Sequence, residues 1–551
     1  MNFHRFINQG RALLPPILIA LLVFEIVVGH ERLLPTNIAW LTRTGWSDGW
    51  GAYLGWETYR YSPWTLPIGS NLAYGMDIGN SLIYTDSIPL LAIPFKLISS
   101  LLPVPFQYFG FWILLCFCLQ ATITWKIFSR YTSNKLMLTC ATLIFLFSPI
   151  LLKRLNVHMS QVGQFLFLWA LYLIIQTQAK KIFRWFILLL ISALVHPYFL
   201  VLNASIFIAN EFYLRNIFQY SYLNVLKNIL SVTTSLLPAL WLAGYFVSLE
   251  GSTNPFYNNL FKMDLIQPIN FTGWSLLFAK QFPYQQGNLE GFNYLGPGTL
   301  ILALFCLTVA IFTWIFKDSL VKLRKELFPL VVVLVFFTLY AITYEVTFAR
   351  HELFTLPLPQ EIKNSLTSFR ASGRFFAPVF YFFTFFVLKT VIRVPRKKFV
   401  SAILLLATLL QVIDTRPGWG PIKTINQPSN ILSLGDTNLQ SWSLILSDKK
   451  IILSIPSKIP SELCQEWRLV GYLAYKFKLH TNCFYFARSS GQNRLINRKS
   501  TIRLLEQGDP AEGVVLVLSP KEFAQYFQPM LSNKWDITQI GNLFVLTSPK
   551  R

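Results

Sequence analysis

Charge is scarce in this chain, and acid scarcest: 13% of its 551 residues are charged, with 25 Asp and Glu against 48 Lys and Arg. Soluble domains carry about twice that fraction, so an ordinary water-soluble globule is excluded. Cysteine is also sparse, at six residues. Cys116, Cys118, Cys140 and Cys306 lie inside apolar runs with no metal-ligand spacing, which makes them small buried hydrophobes. Cys464 and Cys483 lie near the C-terminal end; their spacing leaves open whether they join as a disulfide. There is no Walker-type phosphate loop, no HExxH pattern, no GxSxG elbow and no Rossmann fingerprint, and no low-complexity tract or repeat.

What is present is apolar sequence, 53% of the chain, gathered into long blocks instead of amphipathic spacing. A hydrocarbon core needs roughly 17–25 apolar residues per helix. Spans are expected to begin near residues 13, 104, 136, 162, 184, 198, 228, 297, 329, 374 and 400, about eleven in all. Arg5 and Arg11 precede the first run, Leu13 to Val28. The run resembles a signal peptide but lacks a small-residue cleavage site, so it is read as a retained helix. His196-Pro197 breaks one apolar stretch into two, because proline cannot continue a helix.

Lys and Arg mark the cytoplasmic connections: Arg130 with Lys135, Lys180 to Arg184, Arg215 with Lys227, Lys317 to Lys325 and Arg393 to Lys398. With a cytoplasmic N-terminus, segments 30–103, 249–296, 348–373 and everything after about 415 face outward. The expected protein is therefore an all-α polytopic domain over 1–414, with a large first outer loop at 30–103, followed by a small extracytoplasmic α/β domain over 415–551. In that domain the runs Trp442 to Leu446, Ile451 to Ile455, Val514 to Leu518 and Leu543 to Leu546 look like strands. Ser461 to Lys476 and Pro520 to Phe527 look helical. The net charge of +23, placed between apolar blocks, favours a lipid bilayer surface or an anionic substrate as partner over nucleic acid.

The outer loop Gly45-Trp46-Ser47-Asp48-Gly49-Trp50, continuing to Trp56, Arg60 and Ser62-Pro63-Trp64, sets one acid beside four tryptophans at the membrane boundary. Sugar rings stack on such surfaces, although interfacial tryptophans also serve as plain anchors. Asp86 or Ser87 suits a cap for a helix starting at Pro89, and Asp77 in its Gly-rich turn suits a turn residue. Lys153-Arg154, in a short outer connection, breaks the charge rule: the pair either snorkels or forms a phosphate-binding corner. His158 and His196 fall at outer tips, where polar groups are costly enough to mark a site or a hydrogen-bonded strut. Glu25 and Glu345 follow the same rule at second rank.

These motifs, together with Asp86-Ser87-Ile88-Pro89-Leu90, His196-Pro197-Tyr198, Gly291-Phe292-Asn293-Tyr294-Leu295-Gly296 and Arg370-Ala371-Ser372-Gly373-Arg374-Phe375, are similar to those of an uncharacterised bacterial multipass membrane family resembling the GT-C superfamily. Members of that superfamily transfer sugars from polyprenyl-phosphate carriers on the outer face of the cytoplasmic membrane. The resemblance implies a GT-C-like fold and a polyprenyl-phosphate-linked sugar donor. The acceptor it implies is a cell-envelope glycan or a lipid-linked molecule, and the outcome at the anomeric carbon is inversion. It places Asp48 as the catalytic base that takes a proton from the acceptor hydroxyl. Asp48 has no acidic neighbour in sequence, which leaves a divalent cation open as cofactor and no metal ligand assigned. Arg370 and Arg374, spaced i to i+4, are expected to share a helical face and grip the donor phosphate. Lys153, Arg154, His158, His196, Trp56, Arg60, Asp86 and Tyr294 are the further substrate-binding candidates. The absent nucleotide motifs argue against a cytosolic nucleotide-sugar donor. The alternatives are a non-catalytic flippase or transporter using Glu25, Glu345 and the His196-Pro197 break, or an outer-face polysaccharide polymerase or ligase.

Overall fold

Each apolar run expected to span carries a helix in the computed structural model, and proline decides where several of them stop. The structure describes residues 3–42, 48–156, 158–177, 181–247, 259–270, 273–277, 290–315, 325–366, 368–424, 439–456, 464, 466–508, 512–527 and 534–549. Gly45 to Ser47, Lys180, Lys317, Asn288-Leu289 and the start of the Ser461 to Lys476 stretch fall outside these.

The chain is mainly helical, with small sheets. Among the described residues four helical stretches are long and apolar enough to cross a membrane: Phe109–Phe128, Tyr222–Leu242, Lys325–Ile342 and Ser372–Arg393. The number is six if two bent pairs each count once, and Leu13–Val27, Met159–Ile175, Ile182–Val195 and Pro297–Ile311 are shorter apolar helices. Leu230, Leu237, Val335, Phe336 and Leu339 stand exposed on two of the long helices, a surface suited to lipid instead of water.

The chain forms two compact units. The first comprises Met1–Pro35, Tyr108–Leu236 and Thr253–Asn426, and it is mainly helical, with an antiparallel strand pair, Glu345–Phe348 and His351–Thr355. Lys135–Leu146 starts on Asn134, whose side chain accepts from the N–H groups of Leu136 and Met137. It ends at Leu146, just ahead of Pro149, which cannot donate to the helical ladder. The chain restarts as Pro149–Leu152, bent by 41°, and tightens into the 3-10 turn Lys153–Asn156. His196 likewise lies in extended backbone between Ile182–Val195 and Pro197–Phe218, and its ring accepts from the Tyr198 N–H. The helix break at His196-Pro197 thus stands as expected. Inside this unit Gln120, Tyr381 and Gln164 bond to one another, satisfying polar groups that packing has cut off from water.

The second unit comprises Thr36–Gln107, Leu237–Ser252 and Gln427–Arg551, so most of the segment expected as the first outer loop and the C-terminal segment belong to one body. One sheet has five strands, β1 (Ile451–Leu453), β2 (His480–Thr481), β3 (Val514–Leu518), β4 (Asp536–Ile540) and β5 (Leu543–Thr547), in the order β2-β1-β3-β5-β4. β1 pairs in parallel with β2 and β3, whereas β5 runs antiparallel to β3 and β4. Ile455, Leu505, Leu516, Leu518, Trp535 and Leu546 form its core.

Two local expectations are corrected here. Trp442 to Leu446 lies in a helix, Leu439–Leu446. Trp442 and Leu446, four apart, are buried while Leu444 is exposed, which is helical and not strand periodicity. Neither Asp86 nor Ser87 caps Pro89–Leu97, whose N-cap is Ile88 in left-handed backbone with no side-chain cap. The Ser87 hydroxyl instead donates to the Ala52 carbonyl.

Cys464 and Cys483 are joined, with their Cα atoms 5.6 Å apart and a sequence separation of 19. A bridge closing a loop of that length is worth about 3 kcal/mol. Reduction is therefore expected to lower the unfolding midpoint of this unit, and an unchanged midpoint under reductant would show the bridge to be dispensable.

Candidate functional site

In the first unit, three cationic or titratable side chains from separate segments meet one carboxylate. Arg154 comes from the 3-10 turn after the Pro149 restart, His158 from the bend that follows, and Arg374 from the 3-10 turn Ser372–Phe375. Arg374 Nη2 donates to Glu290 Oε2 at 2.7 Å, and Arg154 Nη1 approaches the same oxygen at 3.4 Å. His158 Nε2 stands 3.1 Å from both carboxylate oxygens. Arg154 Nη2 also donates to the Glu290 carbonyl at 3.0 Å. Burial alone would raise the Glu290 carboxyl, but His158, Arg374 and Arg154 outweigh it and hold it well below the usual carboxylate range.

Two glycines make the meeting possible. A Cβ on Gly373 would lie 2.6 Å from the Gly291 Cα, and one on Gly291 would lie 2.3 Å from the Lys262 carbonyl oxygen. Only residues without side chains let these backbones approach so closely. The Asn293 amide then donates to the carbonyls of Gly291 and Gly373 at 2.8 and 2.9 Å. Beside the cluster lies a small recess lined by Arg154, Arg374, Gln161, Gln164 and Asn293, with Phe167 and Phe199 on its apolar side. Two guanidiniums and one imidazole thus face a single carboxylate.

Arg154, His158 and Arg374, each singled out from sequence, are thus brought together. Lys153 is adjacent, its ammonium 5.8 Å from the Phe292 ring centre. Arg370 does not share a helical face with Arg374: the helix Phe376–Arg393 begins after both, and the Arg370 guanidinium lies 5.4 Å over the Phe261 ring. His196 is engaged by Gln161 and the Tyr198 N–H. Since both donate to Nδ1, the proton of the neutral ring is on Nε2. Tyr294 is buried beside Phe292. Glu25 bonds Lys423 and His30, and Glu345 bonds the buried Lys262. Glu290, the centre of the cluster, had no sequence signal beyond being an acid next to a glycine in an outer segment.

In the second unit Asp48 opens the helix Asp48–Tyr61. Although it has no acidic neighbour in sequence, Asp86 brings a carboxylate oxygen within 4.8 Å of its own. Two carboxylates so close can share a divalent cation. Trp56 is fully buried, with its indole N–H on the Phe106 carbonyl at 3.0 Å, so it offers no stacking face to a sugar. Arg60 donates to the carbonyls of Ser99, Leu102 and Pro103, closing the end of the segment after Pro89–Leu97. Trp50 stacks on Tyr53, whose hydroxyl meets that of Tyr475.

Burial lifts the carboxyl of Glu57, on the same helix, to about 7 against the pull of Arg60 and Tyr53. A carboxyl raised on folding binds its proton more tightly in the folded chain. Its contribution to stability is whole below the unfolded value and is lost as pH climbs through about 7. That loss is of the order of 3 kcal/mol. Glu57→Gln is expected to flatten the decline of thermal stability between about pH 4.5 and 7 and to raise stability at pH 8. An unaltered pH profile in the variant would remove Glu57 as its source.

The chain belongs to the family described as Domain of unknown function (DUF6311), whose model matches residues 17–416. That stretch includes Asp48, Asp86 and every member of the Glu290 cluster. A comparison with curated proteins finds no match.

Proposed function

We propose that this protein is a GT-C-type membrane glycosyltransferase. It moves a sugar from a polyprenyl-phosphate-linked donor to a cell-envelope glycan or lipid-linked acceptor on the outer face of the cytoplasmic membrane, which its chain crosses about eleven times. The observation that carries the phosphate half of this reading is the convergence of Arg154, His158 and Arg374 on a single carboxylate. Two arginines and a histidine that grip a carboxylate are suited to grip the oxygens of a phosphate group in the same way. The sugar-transfer half rests on the resemblance described above, with Asp48 as base.

The chemistry is a single displacement. The acceptor hydroxyl gives its proton to the Asp48 carboxylate as its oxygen bonds the anomeric carbon. The bond from that carbon to the phosphate oxygen breaks, and the lipid phosphate leaves with the electron pair. Arginines set around the leaving phosphate would stabilise the charge it gains. The Cys464–Cys483 bridge accords with an exported C-terminal segment, because disulfides persist in oxidising compartments. The pairing of Glu25 with Lys423 and of Glu345 with Lys262 gives each acid a local counter-charge, which favours the transferase reading over the transporter alternative. Reconstituted protein given a radiolabelled polyprenyl-phosphate sugar and an envelope extract tests the proposal. Label moving to a new product supports it, and label crossing the bilayer on an intact donor refutes it.

A further inference from the structure

Resting on the reading of Arg154, His158 and Arg374 as a phosphate site, the geometry points to Glu290 as its specificity-determining residue: its carboxylate is a resident occupant that an incoming phosphate must displace. The side chains of Arg154, His158 and Arg374 are 5%, 4% and 10% exposed, whereas that of Glu290 is 26% exposed. The carboxylate is therefore the outermost member, and an arriving anion meets it before the cations. Its two oxygens take up Arg374, Arg154 and His158 between them. A phosphate diester presents the same fork of two oxygens bearing one negative charge, and a monoester presents a third oxygen and more charge.

The surrounding backbone is held in a way that lets the side chain leave alone. Asn293 ties Gly291 to Gly373, and the Glu290 carbonyl keeps its bond to Arg154 Nη2, so rotation about the Glu290 side-chain bonds suffices. The proton arrangement also favours exchange. Arg374 Nη2 lies 2.7 Å from His158 Nε2, while both atoms reach for Glu290. If Nε2 carries a proton for Glu290, two donors face each other; if it accepts from Arg374, its lone pair faces the carboxylate oxygens. No proton placement satisfies all three contacts, and additional acceptor oxygens would relieve the conflict. A site occupied by its own acid binds an outside anion in proportion to the time the acid is away. Glu290 thus excludes ligands that bring less charge or fewer oxygens than it does.

The test measures binding of citronellyl phosphate and of inorganic phosphate to the purified full chain in detergent, by calorimetry, for wild type, Glu290→Gln, Arg374→Ala and the double variant. Glu290→Gln is expected to bind citronellyl phosphate about ten-fold more tightly than wild type, with the gain abolished by Arg374→Ala. A larger gain for citronellyl phosphate than for inorganic phosphate assigns the occupant to a lipid phosphate, and equal gains assign it to free phosphate. If wild type binds through Arg374 and Glu290→Gln binds no better or worse, the occupant proposal falls while the phosphate site stands. If Arg374→Ala changes nothing in either background, the phosphate site itself falls. Should Glu290→Gln not fold, Glu290→Asp, which draws the charge back by one methylene, is expected to give a smaller gain of the same sign. Unchanged binding in that variant overturns the proposal.

Discussion

Asp48→Asn is expected to slow sugar transfer by about 10²- to 10⁴-fold, the span usual for loss of a general base, with donor binding and thermal stability held near wild type. Asparagine keeps the size and polarity of the side chain at the start of Asp48–Tyr61 but cannot accept the acceptor's proton. The neighbouring carboxylate sharpens the expectation, because Asp86 lies within 4.8 Å and could take over part of the task. Asp86→Asn alone is then expected to cost less, and the double variant more than Asp48→Asn. The readout is turnover at saturating donor. Turnover by Asp48→Asn at the wild-type rate would remove Asp48 as the base.

Arg374→Ala is expected to raise the donor concentration needed for half-maximal rate by about 10- to 100-fold, which corresponds to losing one charge-assisted contact of about 1.5–3 kcal/mol. Arg154→Ala should act in the same direction. The two losses should not add, since both guanidiniums serve one anion. Arg370→Ala provides the contrast: its guanidinium lies over Phe261, away from Glu290, and a small effect is expected. An equal rise for Arg370→Ala and Arg374→Ala would show that the donor is held by general positive charge instead of the Glu290 cluster.

Much of the helical frame was legible because lipid leaves a chain so few choices. Runs of apolar residues must become helices to satisfy their own amides, and Pro149 and Pro197 mark where those helices restart. The cations of the site were legible for a related reason: Arg154, His158 and Arg374 stand where charge is expensive, so they invited a functional reading. Their counter-charge was not. Glu290 sits in a glycine-containing connection between apolar runs, where an acid draws no notice in the sequence, and only the fold shows that it meets Arg154, His158 and Arg374. The clue available in sequence was Gly291 beside it, and Gly373 in the segment it meets.

Other misreadings have the same origin. Trp56 looked like a stacking surface because tryptophan is common at membrane boundaries, yet the helix Asp48–Tyr61 is buried nearly all round and Trp56 with it. Arg370 and Arg374 looked like a pair on one helix, but Gly373 belongs to a 3-10 turn and the α-helix starts only at Phe376. The approach of Asp86 to Asp48 depends on the chain folding back through Ser70–Asn71 and Asn80–Ser81, two short strands that pair antiparallel. No spacing rule reports such a return.

The most direct measurement is an experimental structure of the full chain in nanodiscs with citronellyl phosphate bound. The phosphate is expected within hydrogen-bonding distance of Arg154, His158 and Arg374, with the Glu290 carboxylate swung away from all three. A phosphate seated elsewhere, with Glu290 still holding both arginines, would contradict it.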